Sequence, residues 1–289
     1  MFILKLTKLV AILEFPKYKL PYWLGNKFRG GFGSVLLKAV CGYLQPKCDN
    51  CRSKEDCLYY ALYVRDKQRR GKSHPVRPII FIPPFFGRSV EGNGELEVRI
   101  NIFGDYVKYI PHIVYGLRYL GKTGLNANSK YELKEIRDFF TEEVVYDGES
   151  VNVEGLRTID LGKISGKKFK KLKVEFITPI EVVKVPLPLS HVLHMVRRRL
   201  ILYVNEYGEG EVFDYACKDS ILNSKWKKHK LYYKSKREGE RFFIAYTGKA
   251  EYDVEMDENA GRLLKIGELI GAGAKSSFGM GFFKTEIIG

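Results

Sequence analysis

The first half of the chain alternates between stretches with strand-like and helix-like spacing of hydrophobic residues. Residues 2–15 are rich in aliphatic and β-branched side chains and stop before Pro16, which predicts a strand. From Trp23 to Tyr43, apolar side chains recur every three or four residues, which predicts an amphipathic helix. The same patterns predict two strands, a helix and a last strand, at 78–83, 95–103, 105–120 and 131–137.

The second half repeats this order of elements. A strand is predicted at 171–183, and an apolar stripe predicts a helix at 190–207. The remaining elements expected are two strands, a helix and a closing strand, near 210–215 and at 241–254, 258–270 and 282–288. The two halves therefore share one order of strands and helices.

That shared order is the split βαβ order of a ferredoxin-like domain. We predict an α+β fold of two tandem ferredoxin-like (RRM-like, βαββαβ) domains with a C-terminal glycine-rich loop. The expected domains are residues 1–145, which carry a cysteine-block insertion at 41–57, and residues 169–289, which carry the loop at 271–281. A polar linker segment that contains several glycines separates the two domains.

The charge of the chain narrows the class of partner. There are 49 Lys and Arg residues against 34 Asp and Glu, a formal net charge of +15. This balance favours a polyanionic partner, although a lysine-rich proteome would produce the same excess. A membrane is disfavoured because no apolar run approaches the roughly 20 residues of a spanning helix. With no secretory signal in evidence, we expect a cytoplasmic protein.

A glycine-rich segment, Gly271 to Gly281, lies between the last predicted helix and the last predicted strand. Glycine permits close backbone approach, so that amide N–H groups can reach phosphate oxygens, and lysine and serine add further donors. The alternative is a tight turn that binds no ligand. The candidate RNA-binding residues here are Gly271, Gly273, Lys275, Ser276, Ser277, Gly279 and Gly281.

A second candidate binding segment, Lys225 to Arg237, mixes cations with tryptophan and tyrosine. Cations contact phosphates and aromatic rings stack on bases, so the mixture suits single-stranded nucleic acid. The alternative is a solvated basic hairpin whose aromatic rings face inward. The candidates are Lys227, Lys234 and Arg237, together with Arg197 and Arg198, which helical geometry places away from the apolar stripe of their helix.

Four cysteines fall within 17 residues and form the third candidate site: Cys41, Cys48, Cys51 and Cys57. The short Cys48-Asp-Asn-Cys51 loop is typical of tetrahedral zinc sites, and an iron–sulfur cluster can use the same ligands. A structural zinc ion is the first candidate cofactor and a cluster the second. The alternative is that no metal binds and Cys41 is a buried apolar residue. Cys217 stands apart and is expected to pack.

Several of these motifs, taken in order, resemble a known family. Phe28-Arg-Gly-Gly-Phe-Gly-Ser-Val-Leu-Leu37, Ile102-Phe-Gly-Asp105 and Val196-Arg-Arg-Arg-Leu200 accompany the glycine-rich segment and a cysteine block that ends in Cys57-Leu-Tyr. Together they resemble the CRISPR-associated endoribonucleases of the RAMP superfamily that process repeat transcripts, in the subgroup with a cysteine block. The likeness spans nearly the whole chain.

The resemblance implies an endoribonuclease that binds the repeat of precursor CRISPR RNA and cleaves it without a metal. The ribose 2′-hydroxyl attacks the adjacent phosphate and leaves a 2′,3′-cyclic phosphate and a 5′-hydroxyl. The reaction needs a base, an acid and a cation for the phosphorane. Relatives often place a histidine around the first helix, whereas here no histidine precedes His74.

We therefore assign the base to His229, charge stabilisation to Lys27 or Arg29, and the acid to Tyr22. A set of lysines and arginines that positions the 2′-hydroxyl without any histidine is the alternative. Two other functions stay open at this point. One is a non-catalytic RNA-binding RAMP subunit of a CRISPR effector complex, and the other is a general single-strand binder. We expect a monomer or a homodimer.

Overall fold

The computed structural model describes residues 1–41, 47–65, 76–235 and 239–288, with only the main chain at 234 and 235. The chain divides into two compact units. The N-terminal unit is Lys5–Ile159, and the C-terminal unit joins Met1–Leu4 to Asp160–Gly289. The expected domains 1–145 and 169–289 fall inside these units, apart from residues 1–4, which belong to the C-terminal unit.

The described residues form twelve strands and four α-helices. The strands are β1 (Phe2–Ile3), β2 (Lys5–Leu20), β3 (Ile79–Ile82), β4 (Val90–Phe103), β5 (Glu132–Asp138), β6 (Val144–Tyr146), β7 (Thr158–Asp160), β8 (Lys171–Ile180), β9 (Glu209–Gly210), β10 (Cys217–Ser235), β11 (Gly239–Met256) and β12 (Phe283–Ile287). The helices are α1 (Gly25–Val40), α2 (Ile110–Thr123), α3 (Leu189–Tyr207) and α4 (Glu258–Ile270). Short 3-10 turns lie at Cys48–Asn50, Gly104–Tyr109, Leu161–Lys163 and Ser276–Phe278, and a π-helical turn at Tyr60–Val64. None of these helices is long and apolar enough to cross a membrane.

The N-terminal unit is a sheet with two helices packed on it. Its strand order is β3-β4-β2-β5-β6, so the first strand lies between the third and the fourth, as the split βαβ order requires. α1 and α2 pack together through apolar side chains that include Phe32 and Leu117. A Cβ at Gly116 would lie 2.3 Å from a ring carbon of Phe32, so this helix contact requires a glycine.

The C-terminal unit repeats the arrangement with the strand order β10-β11-β8-β12. α3 buries the predicted stripe, including Val192, Val196 and Leu200, and α4 packs against α3. In both units the first strand is paired with the third and fourth strands of its own sheet. The predicted α+β fold of two tandem ferredoxin-like domains is therefore confirmed.

Two strand predictions differ from the structure. The strand expected near 210–215 is wrong, because only Glu209–Gly210 is paired there and the second strand of the sheet is β10. β10 runs through the polar segment that obscured it, since a strand with one solvated face can carry lysines at its outward positions. The strand expected at 2–15 is two strands. β1 pairs with β9, and β2 continues past Pro16 across a pairing irregularity between Phe15 and Tyr18.

Candidate nucleic-acid interface

A buried arginine of α3 holds the glycine-rich loop. Arg199 is 2% exposed, and its guanidinium lies within 3.3 Å of five carbonyl oxygens of the loop and its flanks. These oxygens belong to Ile270, Ala272, Gly273, Ala274 and Met280. The sequence did not single out Arg199, because only its neighbours Arg197 and Arg198 lie off the apolar stripe.

The charge of Arg199 is retained in this buried position. Burial lowers its pKa to about 10, which still leaves the guanidinium positively charged at neutral pH. The carbonyl dipoles around the guanidinium compensate for lost hydration, because hydrogen bonds to a charged donor are stronger than neutral ones. Arg199 therefore fixes the orientation of the loop's peptide groups.

The glycines at the two ends of the loop close it. The amide N–H groups of Gly271, Gly279 and Gly281 donate to the carbonyls of Gly267, Ser276 and Pro179, at 2.7, 2.7 and 2.9 Å. A Cβ at Gly281 would lie 2.0 Å from the carbonyl oxygen of Ala272, and φ there is +83°. Since these three amides are already paired, the glycines serve the loop's shape and their N–H groups are not available to a phosphate.

The middle of the loop is arranged differently. In a trans peptide the N–H of one residue points opposite to the C=O of the residue before it. Because the carbonyls of Ala272, Gly273 and Ala274 face Arg199, the amides of Gly273, Ala274 and Lys275 point away from it. Within the described part of the chain, none of these three amides donates to another group. They form a row of donors suited to an anion.

Side chains extend this row of donors. Lys275 adopts a left-handed conformation with φ of 61° and is half-buried, and its Nζ lies 4.9 Å from the ring centroid of Phe243. Ser277 is half-buried and Ser276 is 8% exposed. The loop thus places one ammonium group beside three outward amides, a combination that attracts phosphate.

The hairpin β10–β11 packs on this loop. Its strands pair from Cys217↔Met256 to Ser235↔Gly239. Near its distal end the rings of Tyr233 and Phe243 stack at 4.5 Å, and Phe243 contacts Phe278 of the loop at 5.4 Å. The hairpin that carries the candidate basic segment therefore packs directly against the candidate loop in the C-terminal unit.

The opposite side of the hairpin exposes cations and two aromatic rings. Lys228 and Lys230 are exposed on this side, whereas Lys227 is exposed on the face that also carries His229. Tyr232 and Phe242, directly paired across the strands, are each 51% exposed, with their ring centroids 6.0 Å apart. The two interpretations of this segment, rings that stack on bases and rings that face inward, apply to different residues. Tyr232 faces outward, whereas Tyr233 packs inward and Trp226 is half-buried. Phe242 lay outside the segment that sequence reasoning selected.

The remaining binding candidates take different positions. Arg197 donates to the carbonyl of Phe213 at 3.0 Å and pairs with Asp214 at 2.7 Å, so it anchors the segment before β10. Arg198 is exposed on α3, with His194 one turn before it. Of Lys234 only the main chain is described, and Arg237 lies outside the described residues.

His229, the candidate base, lies on β10 facing the interior of the C-terminal unit. It is 8% exposed, and its Nε2 lies 2.7 Å from Oγ1 of Thr247. Burial and the nearby charge of Lys227 lower the pKa of the imidazole. The ring is therefore neutral at pH 7, which is the state that a general base needs.

The other catalytic candidates cluster at the start of α1 in the N-terminal unit. This end of α1 has no acidic residue in its first turn and no side-chain cap, and it carries the positive end of the helix dipole. Lys27 is exposed, while Tyr22 and Arg29 are half-buried. The main chain of Tyr22 is held by the amides of Phe86 and Gly87, at 3.3 and 3.2 Å.

The four clustered cysteines, Cys41, Cys48, Cys51 and Cys57, line a single cavity of the N-terminal unit. Among the residues that the structure describes, no three His, Cys, Asp or Glu side chains lie close enough together to hold one metal ion. Cys217 lies apart on β10, where burial raises the pKa of its thiol to about 11.

Solved structures share this fold. A Cas6 product complex aligns with a TM-score of 0.58 at 17% identity, covering 97% of this chain and all of the other. A structure described as a RAMP protein binding different RNA substrates aligns with a TM-score of 0.50 at 13% identity, covering 97% and 99%. The two tandem ferredoxin-like domains therefore have a Cas6- or RAMP-like fold.

The sequence comparisons give the family. Residues 4–158 match the model of the AF_1859 N-terminal domain, and residues 172–285 match that of the AF_1859 C-terminal domain. An uncharacterized protein of Archaeoglobus fulgidus is 61% identical over 287 residues, which cover 99% of each chain. The chain belongs to the AF_1859 family.

Proposed function

We propose that this protein binds the repeat of CRISPR precursor RNA and cleaves it without a catalytic metal. The observation that carries the binding step is the row of outward amides at Gly273, Ala274 and Lys275, held in place by Arg199. The hairpin that packs on the loop adds exposed cations and the paired rings of Tyr232 and Phe242 on its other face. Amides and lysines contact phosphates, and rings stack on unpaired bases.

Cleavage is the second step of the proposal, and the fold shared with a Cas6 product complex supports it. In the proposed reaction a base takes the proton from the 2′-hydroxyl, whose oxygen attacks the adjacent phosphorus; the bond from phosphorus to the 5′-oxygen breaks, and an acid gives that oxygen its proton. His229 of the C-terminal unit is the candidate base. In the N-terminal unit, Tyr22 is the candidate acid, and Lys27 or Arg29 is the candidate for offsetting the charge of the phosphorane.

A non-catalytic RNA-binding subunit of a CRISPR effector complex is the second candidate function. It is favoured by the burial of His229, which is 8% exposed and lies against Thr247. A base has to reach within hydrogen-bond distance of the 2′-hydroxyl, so a base in this position requires a local opening on RNA binding. A scaffold subunit requires no such movement.

Single-turnover cleavage of repeat RNA in EDTA separates the two functions. The substrate is compared with a matched RNA that carries one 2′-deoxy sugar at the scissile position. We expect cleavage of the ribose substrate alone, with a 2′,3′-cyclic phosphate and a 5′-hydroxyl as product ends. Tight binding of both RNAs with no cleavage of either would establish the scaffold function instead.

The proposed catalytic residues are tested by pairs of variants. His229→Ala and Tyr22→Phe each remove one proton-transfer group, and a general acid or base contributes about 10²–10⁴-fold to a rate. We expect losses of that order with little change in RNA affinity. His191→Ala, at an exposed position of α3, is the matched control and should cleave at the wild-type rate. Wild-type cleavage by His229→Ala would leave the lysine and arginine set as the source of catalysis.

A further inference from the structure

The two helices of the N-terminal unit carry charge of one sign. The 16 residues of α1 and the 14 residues of α2 contain lysine and arginine but no Asp or Glu, although the whole chain has 34 acidic residues among 289. By contrast, β4 and β5 of the same unit and α3 and α4 of the C-terminal unit each include acidic residues. The charge of α1 and α2 is therefore entirely positive, which favours a polyanionic ligand.

The exposed side of α2 adds aromatic rings to these cations. Tyr115 and Tyr119, one turn apart on the helix, are 50% and 41% exposed, and their rings stack with centroids 6.1 Å apart and an angle of 23° between the planes. Arg118 and Lys122 are exposed, and each follows one of the tyrosines by three residues, so the four side chains project from one face. We call this stacked pair with its two cations the α2 face.

The position of one of these cations is set by the fold. The guanidinium carbon of Arg118 lies 5.8 Å from the ring centroid of Tyr146, a residue of β6 that is 2% exposed. This cation–π contact orders a long side chain, and a side chain that is already ordered loses less conformational entropy when a ligand binds. The α2 face is therefore partly arranged for binding in advance.

The α2 face adjoins the helix that carries candidate catalytic residues. α1 packs against α2 at Gly31, where a Cβ would lie 2.6 Å from Cδ1 of Leu120, the residue after Tyr119. Lys27, exposed one turn before Gly31, is a candidate for offsetting the charge of the phosphorane in the proposed reaction. The tyrosine pair and this lysine therefore belong to one layer of two packed helices.

Unpaired RNA fits the α2 face better than a protein or a duplex does. The centres of protein interfaces are depleted of lysine, whereas Lys122 lies one turn from the ring of Tyr119. Exposed rings stack on unpaired bases of any sequence, and cations beside them contact phosphates. A duplex keeps the faces of its bases stacked on one another, so its bases are not available to the tyrosines.

We propose that the α2 face binds unpaired RNA that continues from the cleavage site. A base stacks on the pair of Tyr115 and Tyr119, and the neighbouring phosphates contact Arg118 and Lys122. This role rests on the proposed function, because it requires RNA as the ligand. It adds to the glycine-rich loop a second binding surface, built from side chains and located in the N-terminal unit.

The test is the affinity of the full chain for repeat RNA that has single-stranded flanks and one 2′-deoxy sugar at the scissile position. Tyr115→Ala combined with Tyr119→Ala removes both rings, and we expect affinity to fall about tenfold or more. Tyr115→Phe combined with Tyr119→Phe keeps the rings and should restore most of that loss. Val153→Ala, at a residue of the same unit that is 49% exposed, is the matched control and should bind like the wild type.

Two further measurements identify the contacts directly. Arg118→Gln and Lys122→Gln should each reduce the slope of log K against log salt by about 0.7, the value for one phosphate on a single strand. Photocrosslinking of the wild-type protein to RNA that contains 4-thiouridine should label the peptide that carries Tyr115 and Tyr119. This label decides the question even if the alanine pair fails to fold.

The possible results separate the α2 face from the proposed function. Wild-type affinity of the alanine pair, or an equal loss in the phenylalanine pair, would overturn stacking on the α2 face while RNA binding by the loop stands. Loss of affinity in the alanine pair, in a protein that binds RNA without cleaving it, would support the α2 face and contradict only the cleavage step. A wild-type protein that binds no RNA would overturn both.

Discussion

The guanidinium Nη2 of Arg199 lies 2.7 Å from the carbonyl oxygen of Ala272, where a helix of the C-terminal unit meets the glycine-rich loop. This contact and its neighbours turn the loop's carbonyls inward and its central amides outward. The buried arginine is thus a positioning residue, because it acts on the binding surface through the loop rather than by touching a ligand.

Replacing Arg199 tests this relationship. Arg199→Met leaves several buried carbonyls without a donor, so we expect the free energy of unfolding to fall by about 3 kcal/mol or more. We also expect RNA affinity to fall at temperatures where the variant remains folded. Urea denaturation and RNA titration measure the two effects. Arg198→Ala, on the exposed side of α3, should change stability by no more than about 0.5 kcal/mol. Equal stability of Arg199→Met and wild type would contradict the role of the guanidinium.

The side chain of Lys275 should contribute one phosphate contact. Lys275→Gln should weaken RNA binding at low salt, and should reduce the slope of log K against log salt by about 0.7, the value for one phosphate on a single strand. Lys218→Gln, at the proximal end of β10, is the control and should leave the slope unchanged. If both variants show the wild-type slope, Lys275 makes no phosphate contact.

The paired rings of Tyr232 and Phe242 should stack on unpaired bases. Removing either ring should cost about 1–3 kcal/mol of binding free energy with single-stranded RNA. The loss should be smaller when the same sequence is held in a duplex, where its bases are stacked already. Leu222→Ala is the control because Leu222 is 54% exposed on the same strand. A similar loss for Leu222→Ala would show that exposed apolar area alone accounts for the effect.

The depressed pKa of His229 links stability and activity to pH. The folded-state pKa lies below the unfolded value, so the unfolded state binds more protons as the pH falls. The contribution of His229 to the free energy of unfolding should therefore be complete above about pH 6.5 and decrease at lower pH. His229→Gln should flatten this dependence on pH. The cleavage rate should rise with pH through the lowered pKa and level off before neutrality. A rate that rises only above pH 7 would exclude His229 as the base.

The loop glycines can be compared with a glycine in open space. Gly281→Ala forces a Cβ against the carbonyl of Ala272 at a φ of +83°, and we expect a loss of about 1–3 kcal/mol in unfolding free energy. Gly30→Ala lies within α1, where a Cβ meets nothing within 4 Å, and alanine there should stabilise by about 0.5–1 kcal/mol. Thermal unfolding of the two variants should therefore move in opposite directions.

The amount that could be predicted differs between the fold and the site. Both ferredoxin-like units could be predicted from hydrophobic periodicity, because the apolar face of a helix or strand is formed by residues that are close in sequence. β10 was missed because its outward lysines left too few apolar positions to reveal a strand. β1 was assigned to the wrong unit for a different reason, since its partner β9 lies about 200 residues away and nothing local specifies that pairing.

The sequence by itself determined the order of elements, the basic character, the position of the glycine-rich loop and the presence of four clustered cysteines. Only the tertiary structure decided which residues of these segments shape the loop and which face outward. It buried Arg199 beneath the loop, separated the three outward amides from the closing glycines, and paired Tyr232 with Phe242. These outcomes depend on the direction of each peptide and side chain relative to distant neighbours, and packing between remote segments sets those directions.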